Sequence, residues 1–358
     1  MHNLSVKISA SDKTYPINIS QNEISQLKLE ILEIVKEKNF LVVISEKVQK
    51  LYGKHLDFPK ERIFVLKDGE KEKNFKTFQK ILNYALKLHL TRSDYIIAIG
   101  GGVCGDIAGF VAATYMRGVH LIQVPTTLLA CVDSSVGGKT AIDTKYGKNL
   151  IGSFYQPDVV LVNTNFLKTL DERQFKTGLG EVIKYAFIEK SCKINEEFNL
   201  INFLTLNSKE ILSRKSSTLE DLIKMCILLK ISVVEKDEKE SGLRKILNFG
   251  HTYGHAVEKL TNYKKYTHGE AVVKGIEFIF NFAVKHDFIV ESYKFIAEDL
   301  IKKYDFKKIP DFKIEKVVST MKMDKKSTSQ YITFIIPNEY ATVQEYKIKI
   351  EALAKALM

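Results

Sequence analysis

The sequence predicts an α/β N-terminal domain with a parallel, Rossmann-like nucleotide-binding sheet, plus an all-α C-terminal metal-binding domain. Three observations predict this. In the first half, short β-branched runs alternate with helix-period stretches, the pattern of strands buried on both faces. One of those runs ends in a G-x-G-x-x-G that opens a helix. In the second half strand signals nearly vanish, and helical patterns carry a cluster of histidines. We expect domains at 1–168 and 169–358.

Element by element, residues 4–8 and 15–19 read as a small hairpin around Ser11-Asp12-Lys13. The apolar runs 41–45 (LVVIS), 62–66 (RIFVL), 95–100 (YIIAIG), 120–124 (HLIQV) and 159–163 (VVLVN) read as strands. Helix-period stretches at 24–38, 75–89 and 106–116 separate them, which calls for a parallel sheet flanked by helices. Helical patterns follow at 178–190, 217–234, 250–261, 270–286 and 290–304. A late strand-like run at 331–336 precedes a last amphipathic helix at 344–357. There are no internal repeats.

The 358 residues suggest roughly two domains. Hydrophobic residues at 45% and charged residues at 27% exclude overall disorder. No apolar run approaches the ~20 residues of a membrane span, and the N-terminus lacks a secretory pattern. The expectation is a cytoplasmic protein with no membrane partner. The net charge of +11, from 54 Lys+Arg against 43 Asp+Glu, admits a nucleic-acid partner or an anionic small substrate. Only six of the 54 cations are Arg, which weighs against nucleic acid, because base readout and phosphate clamping lean on Arg. Cys104, Cys131, Cys192 and Cys226 are scattered without a C-x-x-C, as buried thiols of a reducing compartment would be.

Four motifs bear on the chemistry. Gly100, Gly102 and Gly105 let the backbone approach a pyrophosphate at the helix N-terminus, although no acid follows about 20 residues on. The GKT at 138–140 is no P-loop, since Asp133 stands where its first glycine belongs. It leaves Lys139, with Lys148 and Asn149 nearby, in a turn-rich stretch suited to an anion. Glu181 and Lys184 are three apart on one helix face, ordinarily an exposed ion pair. His251 and His255 share a face, and His268-Gly-Glu270 follows, so three histidines lie within 18 residues. With the upstream Glu181 they point to a catalytic divalent metal. A nucleotide, a metal and an anionic substrate would then meet in one cleft.

The blocks GGGVCGDIAGFVAATYMRG, VPTTLLACVDSSVGGKTAID, GKNLIGSFYQP, GEVIKYA, DEKESGLRKILNFGHTYGHAVE and HGEAVVKG occur in this order. Together they closely resemble the 3-dehydroquinate synthase family of sugar-phosphate cyclases over about residues 65–330. The resemblance implies NAD and Zn²⁺, with Co²⁺ able to substitute, and a homodimer. It matches Glu181, His251 and His268 to the zinc ligands, and His255 to a substrate-side histidine. For NAD it matches Asp68, Gly69, Glu70, Lys71, Glu72, Lys73, Gly102, Val103, Cys104, Gly105, Asp106, Thr126, Thr127, Lys139, Lys148, Phe166, Leu167, Lys168 and Thr169. Asp133 and Glu240 match active-site acids, and Asp133 is grouped with the cofactor positions. The substrate set is Lys139, Asn149, Lys184, Lys230, Arg244, Asn248, His255 and Lys326, with Arg117 reaching a neighbouring subunit. Two positions depart from the pattern: Asp143 stands where many relatives carry Asn, and Ser45-Glu46 ends the first strand, making Glu46 the candidate ribose contact.

The implied reaction converts 3-deoxy-D-arabino-heptulosonate 7-phosphate to 3-dehydroquinate and phosphate, a lyase step of the shikimate pathway to chorismate and the aromatic amino acids. It proceeds by transient NAD-dependent oxidation at C5, phosphate elimination, re-reduction, ring opening and an intramolecular aldol. Zinc would polarise the C4 and C5 oxygens. The alternatives are another sugar-phosphate cyclase (making an amino-dehydroquinate, a deoxy-inosose or a valiolone) and a metal- and NAD-dependent polyol dehydrogenase. Arg244, Asn248 and Lys230 suit a substrate carboxylate and favour the dehydroquinate reading.

Overall fold

A computed structural model describes residues 1–8, 13–194, 198–324 and 330–357. The chain forms two compact units, 1–170 with 214–238 and 171–213 with 239–358. The first crossing lies beside the expected boundary. The helix Ser216–Lys236, however, packs within the first unit rather than the second, burying Leu219, Leu222, Ile223 and Ile227. Its period announces a helix with an apolar face but does not say which elements cover that face.

The first unit is built on strands β1 (His2–Ile8), β2 (Lys13–Ser20), β3 (Phe40–Ser45), β4 (Ile63–Leu66), β5 (Tyr95–Gly100), β6 (His120–Pro125), β7 (Lys139–Thr144), β8 (Gly147–Phe154) and β9 (Val159–Asn163). Seven of them form one sheet in the order β1-β2-β9-β6-β5-β3-β4. β1 and β2 pair antiparallel, as the expected hairpin, and the remaining pairings are parallel. Successive side chains on a strand point to opposite faces. Leu41, Val43, Ile96 and Ala98 therefore join one core with the helices Phe75–Lys87 and Gly102–Thr114. Val42, Ile44, Ile97 and Ile99 join another with the helices Ile24–Val35 and Glu46–Leu56. Because both faces are covered, the strands read as continuous apolar runs.

The strand order reverses at β3, with β4 on one side and β5 on the other. In open α/β sheets, ligands bind outside the carboxyl ends of the strands at such a switch point. The glycine loop follows β5 and Ser45-Glu46 ends β3, so both border that crevice. The stretch expected to be turn-rich is an antiparallel hairpin, β7–β8, with Lys139 opposite Phe154 and Ala141 opposite Gly152.

The second unit is helical but not all-α. Helices Glu172–Ile188, His251–Leu260, His268–Lys285 and Glu291–Lys303 are accompanied by an antiparallel pair, β10 (Tyr331–Glu339) and β11 (Thr342–Lys349). β10 was expected from 331–336. The helix expected at 344–357 is instead β11 followed by a short helix, Leu353–Leu357. The apolar residues Tyr346, Ile348 and Ile350 alternate with lysines, and that period of two decides the outcome once β10 offers an edge to pair with. Phe187, Phe249, Phe280 and Tyr293 form the aromatic core; the Phe187 and Phe280 rings meet edge-to-face at 4.9 Å. Among the described residues, no helix is long and apolar enough to cross a membrane.

Candidate active site

In the second unit the helix Glu172–Ile188 is anchored by Asp171, whose side chain accepts the backbone N–H groups of Arg173 and Gln174. Its central turns are buried on all sides, so Glu181 and Lys184, each 1% exposed, stand inside protein rather than on a solvated face. Lys184 Nζ lies 2.5 Å from Glu181 Oε2. This corrects the exposed ion pair that the spacing alone suggests. The helix His268–Lys285 begins with a capping box of Thr267 and Glu270. The Glu270 carboxylate also takes two hydrogen bonds from Arg173, each 3.0 Å, and is thereby committed to holding the two helices in register.

Glu181 Oε1 faces His268 Nε2 at 3.1 Å and His251 Nε2 at 3.4 Å, without an aligned hydrogen bond to either. The ligand atoms of Glu181, His251 and His268 all lie within 4.8 Å of one another. A buried carboxylate and two imidazoles turned inward by the same nitrogen form a donor set that fits a divalent cation. Burial works against the charge of Glu181, but Lys184 and His251 hold its pKa well below the ordinary carboxylate range. Burial likewise opposes the charge of His268, yet Glu181 and Glu258 raise its pKa. The site thus supplies a charged carboxylate before any cation arrives.

A cavity of about 320 Å³ opens beside this triad, lined by Lys245, Asn248, His251, Thr252, His255 and Lys259 among others. Asn248 donates to Glu240 Oε1 at 2.6 Å, and Arg244, 1% exposed, stands on the same short 3-10 helix, Leu243–Asn248. The His255 ring lies 5.4 Å from that of His251; the surrounding protein, with His251 and His268, pushes the His255 pKa down. A cavity-facing neutral imidazole can both donate and accept a hydrogen bond. Lys326 lies outside the described residues.

In the first unit Gly101 caps the helix Gly102–Thr114 without offering a side-chain hydrogen bond, which leaves its first N–H groups to an incoming anion. A Cβ at Gly105 would sit 2.8 Å from Gln123 Oε1, so any larger residue there would have to displace the end of that side chain from between the helix and β6. Lys73, 4% exposed, reaches both Asp106 Oδ2 and Asn149 Oδ1 at 2.5 Å. Burial disfavours its ammonium, but Asp106, Glu70 and Asp143 keep its pKa above the ordinary value. Asp143 accepts the Asn149 N–H at 2.9 Å, and Lys148 pairs with Glu70 at 3.4 Å. Residues matched to NAD and to substrate thus share one network around β7–β8. Asp133 sits in a π turn, Ala130–Ser134, where Lys230 Nζ contacts its backbone oxygen at 2.5 Å and its carboxylate at 2.6 Å.

Other matched positions have plainer surroundings. Phe166 and Leu167 are core side chains, and Thr169 Oγ1 meets Tyr52 OH at 2.7 Å. Asp68 accepts the Lys47 N–H at the start of the helix Glu46–Leu56. Cys104 is buried against the Val43 carbonyl, its pKa pushed up to about 12 by burial, and all four cysteines are buried. Arg117 is exposed, and Arg117, Asn149 and Glu240 share left-handed backbone, with φ of 65°, 57° and 59°. Sequence reasoning missed Glu258, whose Oε2 lies 3.3 Å from His268 Nδ1. Its place three residues after His255 on the same helix was the available signal.

Residues 63–177 match the family described as 3-dehydroquinate synthase N-terminal, and residues 178–327 match 3-dehydroquinate synthase C-terminal. A curated relative from Alkaliphilus metalliredigens (strain QYMF), named 3-dehydroquinate synthase, is 44% identical over 322 residues, covering 88% of each chain. A crystal structure of 2-deoxy-scyllo-inosose synthase, complexed with carbaglucose-6-phosphate, NAD⁺ and Co²⁺, is similar at a TM-score of 0.84 and 25% identity over 99% of both chains. A 2-epi-5-epi-valiolone synthase from Streptomyces hygroscopicus subsp. jinggangensis 5008, with NAD⁺ and Zn²⁺ bound, shares the fold at a TM-score of 0.83 and 19% identity, over 96% of this chain and 95% of that one. With both of its halves matched, and a relative this similar along most of its length, the chain belongs to the 3-dehydroquinate synthase family.

Proposed function

We propose that the residues assembled above serve the reaction after which this family is named. The chain is an enzyme, and its activity is the conversion of 3-deoxy-D-arabino-heptulosonate 7-phosphate to 3-dehydroquinate and phosphate. The observation that carries the residue assignment is the convergence of Glu181, His251 and His268 beside a cavity that Asn248 and His255 also line. When bound, a zinc ion held by that triad supplies Lewis-acid polarisation of substrate oxygens, and NAD supplies a transient hydride acceptor. Zn²⁺ is the ion we assign, with Co²⁺ able to replace it.

The chain's own groups orient and neutralise the substrate. Arg244, Asn248 and Lys230 hold its carboxylate, while Lys139, Asn149, Lys184 and Lys326 bear on its phosphate and hydroxyls. His255 moves protons at the cavity wall as a neutral imidazole. The helix N-terminus at Gly102 holds the dinucleotide pyrophosphate, with Asp68, Gly69, Glu70, Lys71, Glu72, Lys73 and Lys148 around it and Glu46 toward the ribose. Lys73 keeps Asp106 and Asn149 in place from beneath. Preorganised cations of this kind stabilise charge without rearranging as it develops. We place the protein in the cytoplasm as a homodimer, with Arg117 approaching the second subunit's site.

Incubation of the pure protein with NAD⁺, Zn²⁺ and the heptulosonate phosphate tests the assignment. Phosphate release without lasting NADH absorbance is the expected result, with dehydroquinate identified by mass. Accumulating NADH would instead point to a dehydrogenase, and a different product mass to another cyclase.

A further inference from the structure

His268 has a carboxylate beside each ring nitrogen. Nε2 lies 3.1 Å from Glu181 Oε1, inside the triad, and Nδ1 lies 3.3 Å from Glu258 Oε2, on the opposite side of the ring. His251 has the same polarity with a different partner: Nε2 faces Glu181 at 3.4 Å, and Nδ1 faces the Phe249 carbonyl oxygen at 3.0 Å. A neutral imidazole has one N–H and one lone pair, so an acceptor at Nδ1 leaves the lone pair on Nε2. Both histidines are therefore set to present the same nitrogen to one point.

Glu258 is 5% exposed, and it lies on the helix His251–Leu260 that also carries His251. Seven residues separate the two, close to two helical turns, so one rigid helix supplies a ligand and the support of another. The atoms of His255, Glu258 and His268 also lie within 4.8 Å of one another. A second cation there would need the Nδ1 lone pair of His268 while the triad uses Nε2, and a neutral ring cannot offer both. Glu258 is thus better placed as an acceptor than as a ligand.

We infer that Glu258 is a positioning residue for the metal centre: by accepting the Nδ1–H of His268 it fixes the ring's tautomer and orientation and makes Nε2 the stronger donor. The inference rests on the assignment of His268 as a ligand. Carboxylate partners of this kind typically change metal affinity by about 10–100-fold when removed.

The test measures zinc affinity by chelator competition in the full-length protein and in the variants E258Q, E258L and H268A, with the ¹⁵N shifts of the histidine rings recorded alongside. Gln keeps an acceptor without the charge, so E258Q should bind zinc about tenfold more weakly with the His268 tautomer retained. Leu removes the acceptor, so E258L should approach a 100-fold loss with the His268 nitrogens shifted. A purely structural role would move neither the nitrogen shifts nor the order of the two variants. Parental affinity in E258Q and E258L, with zinc lost from H268A, overturns the positioning role alone. Parental affinity in H268A overturns the metal assignment and this inference with it. If E258L does not fold, E258Q decides the question.

Discussion

Gly180 and Gly269 stand at a crossing where two helices touch backbone to backbone. A Cβ on Gly180 would lie 2.5 Å from the Gly269 carbonyl oxygen, and one on Gly269 would lie 2.0 Å from the Thr177 carbonyl oxygen. Their chain neighbours are Glu181 and His268, 3.1 Å apart. The absence of two side chains is what allows Glu181 and His268, from distant parts of the sequence, to meet.

Replacing either glycine with alanine should therefore separate Glu181 from His268 as well as strain the core. Overpacking of this kind costs about 1–3 kcal/mol, and G269A, whose added Cβ would make the closer approach to backbone, should lie at the upper end. Thermal unfolding and zinc content check this. A G269A protein with parental stability and zinc would show that the crossing is not as tight as described.

Lys184 compensates the buried Glu181 charge. Truncating one partner of a buried ion pair typically costs about 3–5 kcal/mol, because the other charge is left without compensation. K184M should be destabilised to that extent in chelator, and zinc should restore part of the loss by taking over the neutralisation. Equal destabilisation with and without zinc would argue against a cation beside Glu181.

Lys73 plays the same part in the first unit, under Asp106 and Asn149. K73M should weaken NAD⁺ binding at least about tenfold, equivalent to ~1.4 kcal/mol, as read by calorimetric titration. Zinc content should be unchanged, since the triad lies in the other unit. Loss of zinc with NAD⁺ affinity intact would invert the assignment of the two units.

Glu189 titrates in a range that stability measurements can reach. Burial raises its pKa from 4.5 to about 6, outweighing the N–H of Leu200 that its carboxylate accepts at 2.6 Å. Folding therefore favours the protonated form. Its contribution to stability is full below pH 4.5 and is lost as pH rises through about 6. E189Q retains an acceptor but does not titrate, so its melting temperature should fall less than the parent's across that window. Parallel profiles for the two proteins would remove Glu189 as the cause.

Much of the fold was legible because strand and helix periods are local. The five main parallel strands were all expected near their observed positions, and so was the β1–β2 hairpin. β7–β8 was not, because Thr144 through Gly147 reads as a turn whether or not the flanking residues pair. The left-handed backbone of Asn149 and Glu240 was equally invisible, since neither residue type requires it.

By itself the sequence determined the five main parallel strands, the glycine loop after one of them, and the chemistry of the histidine cluster. Each depends on residues within a few turns of one another. Only the tertiary structure decided that Ser216–Lys236 packs in the first unit, that Lys184 is buried on Glu181, and that Glu258 reaches the far nitrogen of His268. The reason is physical. A periodic pattern specifies that a face must be covered, whereas the identity of the cover depends on how closely two backbones can approach. Between Glu181 and His268, the glycines at positions 180 and 269 set that distance.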